Sequence, residues 1–264
     1  LIDATTTVED AALDHARRFG GVARLFGEGA LDALSASHIV VVGVGGVGSW
    51  AAEALARSGV GCITLVDMDH VAESNINRQV HALDTTLGRS KIEAMAERIA
   101  GISPLCRVDR VDDFVDPANV SERVPAAADV VIDAIDAPAA KAALVATCVR
   151  RGQAVVVCGG AGGRIDALCL ARGDLADTRH DPLLASLRAR LRREHGFPRA
   201  GHGRFGVTAL WFDSPGLAGT VPARGSGTPL ACAGYGSLVT VTAPLGFAAA
   251  GVALQRALSA HRGR

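Results

Sequence analysis

The chain has 264 residues, enough for one large α/β domain, and 49% are hydrophobic against 20% charged, a globular composition that excludes disordered and fibrous classes. Twenty-seven basic residues balance 27 acidic ones, so no global field draws the protein to nucleic acid, and such a partner must meet a local patch. Cys62, Cys106, Cys148, Cys158, Cys169 and Cys232 contain no C-x-x-C pair, which argues against a disulfide scaffold and against zinc and fits reduced, mostly buried thiols.

In chain order, the opening Leu1-Ile2-Asp3 with its early acids has the pattern of neither a signal nor a transit peptide. Residues 9–35 read as helical and end at Ser35-Ala36-Ser37. His38–Val42 predicts a short buried strand, followed by Gly43-Val44-Gly45-Gly46-Val47-Gly48 and an Ala-rich helix over Ser49–Arg57. Cys62–Val66 is the next strand, ending on Asp67, and a loop through Asn77 leads to a helix over about Gly88–Ala100. Arg107–Val111 and Val130–Asp133 read as strands with a helix between them, Lys141–Arg150 as a helix, and Ala154–Cys158 as a fifth strand. Short apolar runs alternating with helices predict an α/β fold with a Rossmann-like, doubly wound, mostly parallel sheet.

After Gly159-Gly160-Ala161-Gly162-Gly163 the pattern changes. Ile165–Ala171 and Phe205–Phe212 read as strands around an Arg-rich helix, Pro182–Glu194, with glycine and proline crowding 196–203 and 213–229. Ala231–Leu254 carries no charge and meets the ~20-residue length of a membrane span. Its glycines, threonines and Pro244 predict instead a loop running into a buried helix of small residues, with membrane association the lesser alternative to a cytoplasmic protein. The expected organisation is one domain over 1–264: N-terminal helices at 1–36, a nucleotide-binding core at 37–163, and a C-terminal extension at 164–264 with antiparallel strands, the Arg-rich helix and a final apolar helix.

The glycine loop sits between a buried strand and a helix, so its backbone N–H groups and the helix N-terminus converge on a point that suits phosphate. Asp67, at the end of the second strand, suits the two hydroxyls of a ribose, an arrangement that serves NAD and ATP equally. An NAD-binding oxidoreductase, or a nucleotide-binding module without catalysis, therefore stays open on these residues. The residues further along the chain favour ATP: Asp67-Met68-Asp69, then Asn75-Ile76-Asn77-Arg78-Gln79, then Lys91, then Asp133-Ala134-Ile135-Asp136. Hydride transfer needs no cation pair beyond the glycine loop. Attack at an α-phosphate does, because charge builds there and on departing pyrophosphate. An arginine fork, a lysine point charge and a carboxylate for Mg²⁺ supply the neutralisation. The chain has 25 arginines and two lysines, Lys91 and Lys141, so each lysine is a candidate for a site that wants a compact ammonium; the plainer reading, retention on a helix surface, weighs more for Lys141.

In order and spacing, G-x-G-G-x-G, D-x-D, N-x-x-R-Q, the lysine thirteen residues beyond Arg78, and D-x-x-D resemble the ubiquitin-activating-type adenylating superfamily. That resemblance implies that Gly43, Gly45, Gly46 and Gly48 cradle phosphate and that Asp67, with Asp69, holds the nucleotide. It also implies that Asn75, Arg78, Gln79 and Lys91 line the phosphate side and that Asp136 helps hold Mg²⁺. A closer likeness covers nearly the whole chain: Arg18-Phe19-Gly20-Gly21, Gly45–Arg57, Ile76–Leu83, Val111–Val115, Val131–Asp136, Gly159–Asp166 and the run around Cys232. These resemble the branch that dehydrates threonylcarbamoyladenosine in tRNA. It implies ATP and Mg²⁺, admits a monovalent cation, and implies a homodimer, tRNA as substrate and a sulfur-transfer or other helper protein. Activation of a ubiquitin-like sulfur carrier is the alternative, and the missing C-x-x-C pairs count against it. Carrier-activating enzymes place an N-terminal arginine on ATP across a dimer; the matching position is Gly21, so Arg24 or Arg18 is the candidate for that role.

Arg188, Arg190, Arg192 and Arg193 lie in the one dense basic segment, which reads as a track for RNA phosphates or as a solvated helix face. Cys232 reads as a thiol near the site or as an ordinary buried cysteine, since internal ring closure needs no covalent relay. His81, beside Arg78-Gln79, is the histidine expected nearest ATP.

Overall fold

Five residues of mostly β-branched character form β1 (His38–Val42), and all but His38 are buried. Both faces of the strand are covered, so its sequence shows no polar alternation. The structure, a computed structural model, describes residues 8–216 and 236–262. In it β1 pairs in parallel with β2 (Cys62–Val66) and with β4 (Val130–Asp133). β3 (Arg107–Val111) extends the sheet beyond β2, and β5 (Ala154–Cys158) beyond β4, again in parallel. β7 (Thr208–Phe212) joins β5 in parallel, and β6 (Leu170–Asp174) closes that edge antiparallel to β7, giving the order β3-β2-β1-β4-β5-β7-β6.

The helices are α1 (Val8–Phe26), α2 (Ala30–Ser35), α3 (Gly48–Arg57), α4 (Lys91–Ile102), α5 (Val120–Arg123), α6 (Pro138–Arg150), α7 (Pro182–Glu194) and α8 (Val239–Arg262). Alternate residues of β1 serve opposite layers. Ile39 and Val41 pack with Leu55 of α3, Met95 of α4 and Leu245 of α8. Val40 and Val42 pack with Leu144 of α6 and with Leu187 and Leu191 of α7. Each such side chain contributes about 1.5–3 kcal/mol of burial.

The final helix is internal. Val239–His261 is long and apolar enough to cross a bilayer, yet 67% of its most apolar window is buried in the fold. Gly246 makes this possible: a Cβ there would meet Val47 O at 2.4 Å and Trp50 Cβ at 2.9 Å, so α8 lies directly on α3. The first part of the uncharged stretch, 231–235, lies outside the described residues.

The helix expected over 9–35 is two, α1 and α2, and α6 starts at Pro138 and not at Lys141. Three further boundaries differ from those the sequence suggests, each for a local reason. The strand expected over Ile165–Ala171 starts at Leu170, because Asp166 accepts the Leu168 N–H at 2.8 Å and caps a 3-10 turn over Ala167–Cys169. The strand expected from Phe205 starts at Thr208, because the Asp174 carboxylate takes the N–H groups of Phe205 and Gly206 at 2.9 and 2.7 Å. β7 is also parallel to β5, so β6–β7 is the antiparallel pair of the extension. The helix expected from Gly88 starts at Lys91, after Gly88 turns the chain at φ 78°.

Candidate active site

The sheet order reverses between β1 and β4, and the loops leaving their carboxyl ends part there to open a crevice. The glycine loop fills its floor. Gly43 has φ 87°, and a Cβ on it would come within 2.9 Å of Ala134 O. A Cβ on Gly46 would press on Thr242 Cγ2 at 3.2 Å and Arg78 Cγ at 3.3 Å. Gly48 does a different job from the one expected. It does not line the crevice; a Cβ there would sit 1.8 Å from Gly43 O, so its missing side chain lets the loop fold back into α3.

The resulting cleft has a volume of about 480 Å³, and Gly43, Gly45, Gly46, Asp67, Asp69, Asn75, Arg78, Gln79, Lys91 and Asp136 all line it. Residues separated by up to 93 positions, from Gly43 to Asp136, thus meet in one place. Asp67 follows directly on β2 and accepts the N–H of Val44 at 2.6 Å and of Asp69 at 2.8 Å. Burial pushes its carboxyl above the usual range, while Lys91 and the two N–H groups pull it back.

Lys91 is buried, and its Nζ lies 2.6 Å from Asp69 Oδ2. It opens α4, where the helix dipole opposes a cation, so the carboxylate holds it in place. The Arg78 backbone is clamped from two elements: its carbonyl accepts Trp50 Nε1 at 2.9 Å and Thr242 Oγ1 at 3.4 Å. Its guanidinium rests on Ser74 O at 2.6 Å and Asn77 Oδ1 at 3.0 Å, neutral acceptors that an anion outcompetes. Asn75 is buried and shapes the loop through its Oδ1, which accepts the Ala72 N–H at 3.0 Å. Gln79 Oε1 is buried without a partner. Asp136 is exposed on the turn after β4, with no ion pair among the described residues.

Other expected residues lie elsewhere. Arg24 is exposed on α1 and does not line the cleft of its own chain; its guanidinium lies over Gly20 and Gly21, where a Cβ would meet it at 3.8 Å. Arg18 donates to Ile102 O at 2.9 Å. His81 sits outside the cleft, 1% exposed with neither ring nitrogen partnered, and burial, then Lys91 and Arg98, lower its pKa to about 4. Lys141, read as a surface residue, is wholly buried against Asp133. Cys232 lies outside the described residues.

The four arginines of α7 are all engaged. Arg188 donates to Thr178 Oγ1, and Arg192 donates to Pro198 O at 3.1 Å and lies over the Phe205 ring. Arg190 and Arg193 share Glu194 at 2.9 and 2.7 Å. Leu183, in the first turn of the same helix, lines the cleft; at 1.5 Å per residue the first of these arginines, Arg188, starts about 8 Å away.

Three groups of lining residues were missed. Ser237 and Thr242 enter with α8, Phe114 and its neighbours from the loop after β3, and Gly159, Gly160 and Ala161 from the loop after β5. The five-residue glycine-rich run was a readable signal for the last; the other two depend on tertiary packing. Away from the cleft, His38, Cys62 and Asp109 bring metal-ligating atoms within 4.8 Å of one another. The Arg107 guanidinium already serves that cluster, 3.1 Å from Cys62 Sγ and 3.2 Å from Asp109.

Residues 19–257 match the ThiF family. The chain belongs to the ThiF family. It is 47% identical over 252 residues to the tRNA threonylcarbamoyladenosine dehydratase of Escherichia coli, covering 92% of this chain and 94% of that one. The counterpart in Haemophilus influenzae is 42% identical over 237 residues, 89% and 90% of the two chains. The crystal structure of the E. coli dehydratase in complex with ATP superposes with a TM-score of 0.87 at 43% identity, covering 99% of this chain and 100% of that one. The E. coli molybdopterin-synthase adenylyltransferase is 36% identical over 117 residues, 44% of this ThiF-family chain and 47% of that protein. The redox-coenzyme reading that the glycine loop alone left open is set aside by this membership.

Proposed function

We propose that this ThiF-family chain is an ATP-dependent dehydratase of threonylcarbamoyladenosine in tRNA. The observation that carries the reading is the meeting of the glycine loop, Arg78, Lys91 and Asp136 in one cleft, within a chain similar end to end to dehydratases of that name. A free carboxylate is a poor electrophile. Its oxygen attacks the α-phosphorus of ATP, the bond to the bridging oxygen breaks, and pyrophosphate leaves. A nucleophile within the same threonylcarbamoyl group then attacks the acyl carbon and expels AMP. The substrate oxygen departs with AMP, so the modified base loses the elements of water.

In this reading the glycine loop holds the phosphates and Asp67 the ribose hydroxyls. Lys91 and Arg78 neutralise charge developing on the α-phosphate and on pyrophosphate, an effect worth about 3–4 kcal/mol per well-placed donor. Lys91 exchanges its bond to Asp69 for the stronger field of a triphosphate. Asp136, a carboxylate with no ion pair among the described residues, fits a Mg²⁺ ion, which would add positive charge beside the phosphates. Arg24 reaches the cleft of a second copy in a homodimer. The basic end of α7 tracks tRNA phosphates, and the extension at 164–264 is the tRNA and dimer region of a single 1–264 adenylating domain. A cytoplasmic location accords with that substrate, and a sulfur-transfer or other helper protein remains part of the reading.

The test is to incubate the protein with Mg-ATP and threonylcarbamoyl-modified tRNA and weigh the digested nucleosides. Loss of one water per modified base is expected. No mass change, together with pyrophosphate exchange driven by a Gly-Gly-tailed carrier protein, would transfer the assignment to carrier activation.

A further inference from the structure

One buried charge near the cleft is not explained by packing. Lys141 stands in the first turn of α6, wholly buried, with its Nζ 2.9 Å from Oδ1 of the equally buried Asp133. Taking two ions out of water costs several kcal/mol each, and a cation there also faces the positive end of the helix dipole. An apolar pair of the same volume would fill the space at less cost. Stability alone does not account for the pair.

Its hydrogen bonds do. The ammonium donates to Asp133 O at 3.2 Å and Ile135 O at 3.0 Å as well as to the carboxylate. Asp133 Oδ1 in turn accepts the Ile135 N–H at 3.2 Å. All of these acceptors lie at the last residue of β4 or on the turn that follows it, and the next residue on that turn is Asp136, in the cleft. From the other side, Ala134 N donates to Val42 O at 2.9 Å, and Ala134 O stands where Gly43 has no room for a Cβ. The turn is thus fixed between an ammonium beneath it and the glycine loop beside it. Three acceptors converging on one point suit a compact ammonium and not a planar guanidinium, which accounts for a lysine in a chain that otherwise uses 25 arginines.

We infer that Lys141 is a positioning residue: through Asp133 and the Ile135 carbonyl it sets the Asp136 carboxylate against the glycine loop for a nucleotide-bound divalent cation. The inference rests on the reading of Asp136 as the cation holder. The test is calorimetric titration of the whole protein with ATP, in Mg²⁺ and in EDTA, for Lys141→Met, Asp136→Asn, their double variant and the apolar pair Asp133→Leu/Lys141→Met. Lys141→Met is expected to lose about tenfold of the Mg²⁺-dependent gain in ATP affinity, with affinity in EDTA within about twofold of wild type. It adds nothing in the Asp136→Asn background. The apolar pair, which removes the unpaired charge and so folds even where Lys141→Met does not, restores Tm and keeps the same Mg²⁺ defect. A full Mg²⁺ gain in the apolar pair, or defects that add in the double variant, would overturn the inference and leave Lys141 a structural residue. An unchanged Mg²⁺ gain in Asp136→Asn alone would overturn the assignment of Asp136 itself.

Discussion

Lys91 and Asp69 lie 2.6 Å apart, so the cation proposed to meet the nucleotide is held ready by an exposed carboxylate that gives way when a more highly charged anion arrives. His81 stands just outside the cleft in the opposite condition, buried and neutral. Unfolded, its imidazole takes a proton near pH 6.5; folded, it does so only near 4. The fold therefore keeps this contribution whole above pH 6.5 and loses it as pH falls from there towards 4, a change of about 3 kcal/mol in all. Neither ring nitrogen has a hydrogen bond to lose, so His81→Leu is predicted to flatten the acid limb of unfolding free energy measured by urea titration across that range. A variant with the wild-type acid slope would show that another group controls it. At Gly43 the backbone is left-handed, with a Cβ position 2.9 Å from Ala134 O. Gly43→Ala therefore costs about 1–2 kcal/mol in conformation before the collision is counted, and thermal unfolding should show a lower Tm together with weaker ATP binding.

At the scale of elements, the central strands and the glycine loop were legible because their signals are local: unbroken apolar runs, then glycines at fixed offsets. Arg78 and Lys91 were legible by spacing, and both line the cleft. What escaped was set by distant packing. Thr242 reaches the Arg78 carbonyl from 164 residues away, and nothing near Lys141 in sequence distinguishes a helix surface from a buried pair. β6 and β7 began late because Asp166 and Asp174 spend their carboxylates on the backbone. For α7 the sequence overstated the free charge, since Arg190 and Arg193 share Glu194. Reversing both to glutamate is still predicted to weaken tRNA binding and to reduce the slope of log affinity against log salt by up to about 2. An unchanged slope in a filter-binding series would return α7 to a plain solvated face.

At the scale of the whole molecule, the sheet brings the ends of β1, β2 and β4 together as one cleft and α8 closes it from the far end of the chain, so the chemistry depends on the complete fold. Arg24, remote from its own cleft, gives the assembly a direct test. If the proposed homodimer forms, mixed and reassociated Arg24→Ala and Lys91→Ala chains regain activity that neither has alone, because one cleft of each mixed dimer is then intact; no recovery would separate Arg24 from catalysis. The account as a whole depends on cations acting on a triphosphate in a glycine-floored cleft. The measurement that tests this most directly is tRNA-dependent pyrophosphate release by Lys91→Ala, with native folding checked by circular dichroism. A fall of about 10²–10³-fold at saturating ATP is predicted, whereas release near the wild-type rate would contradict it.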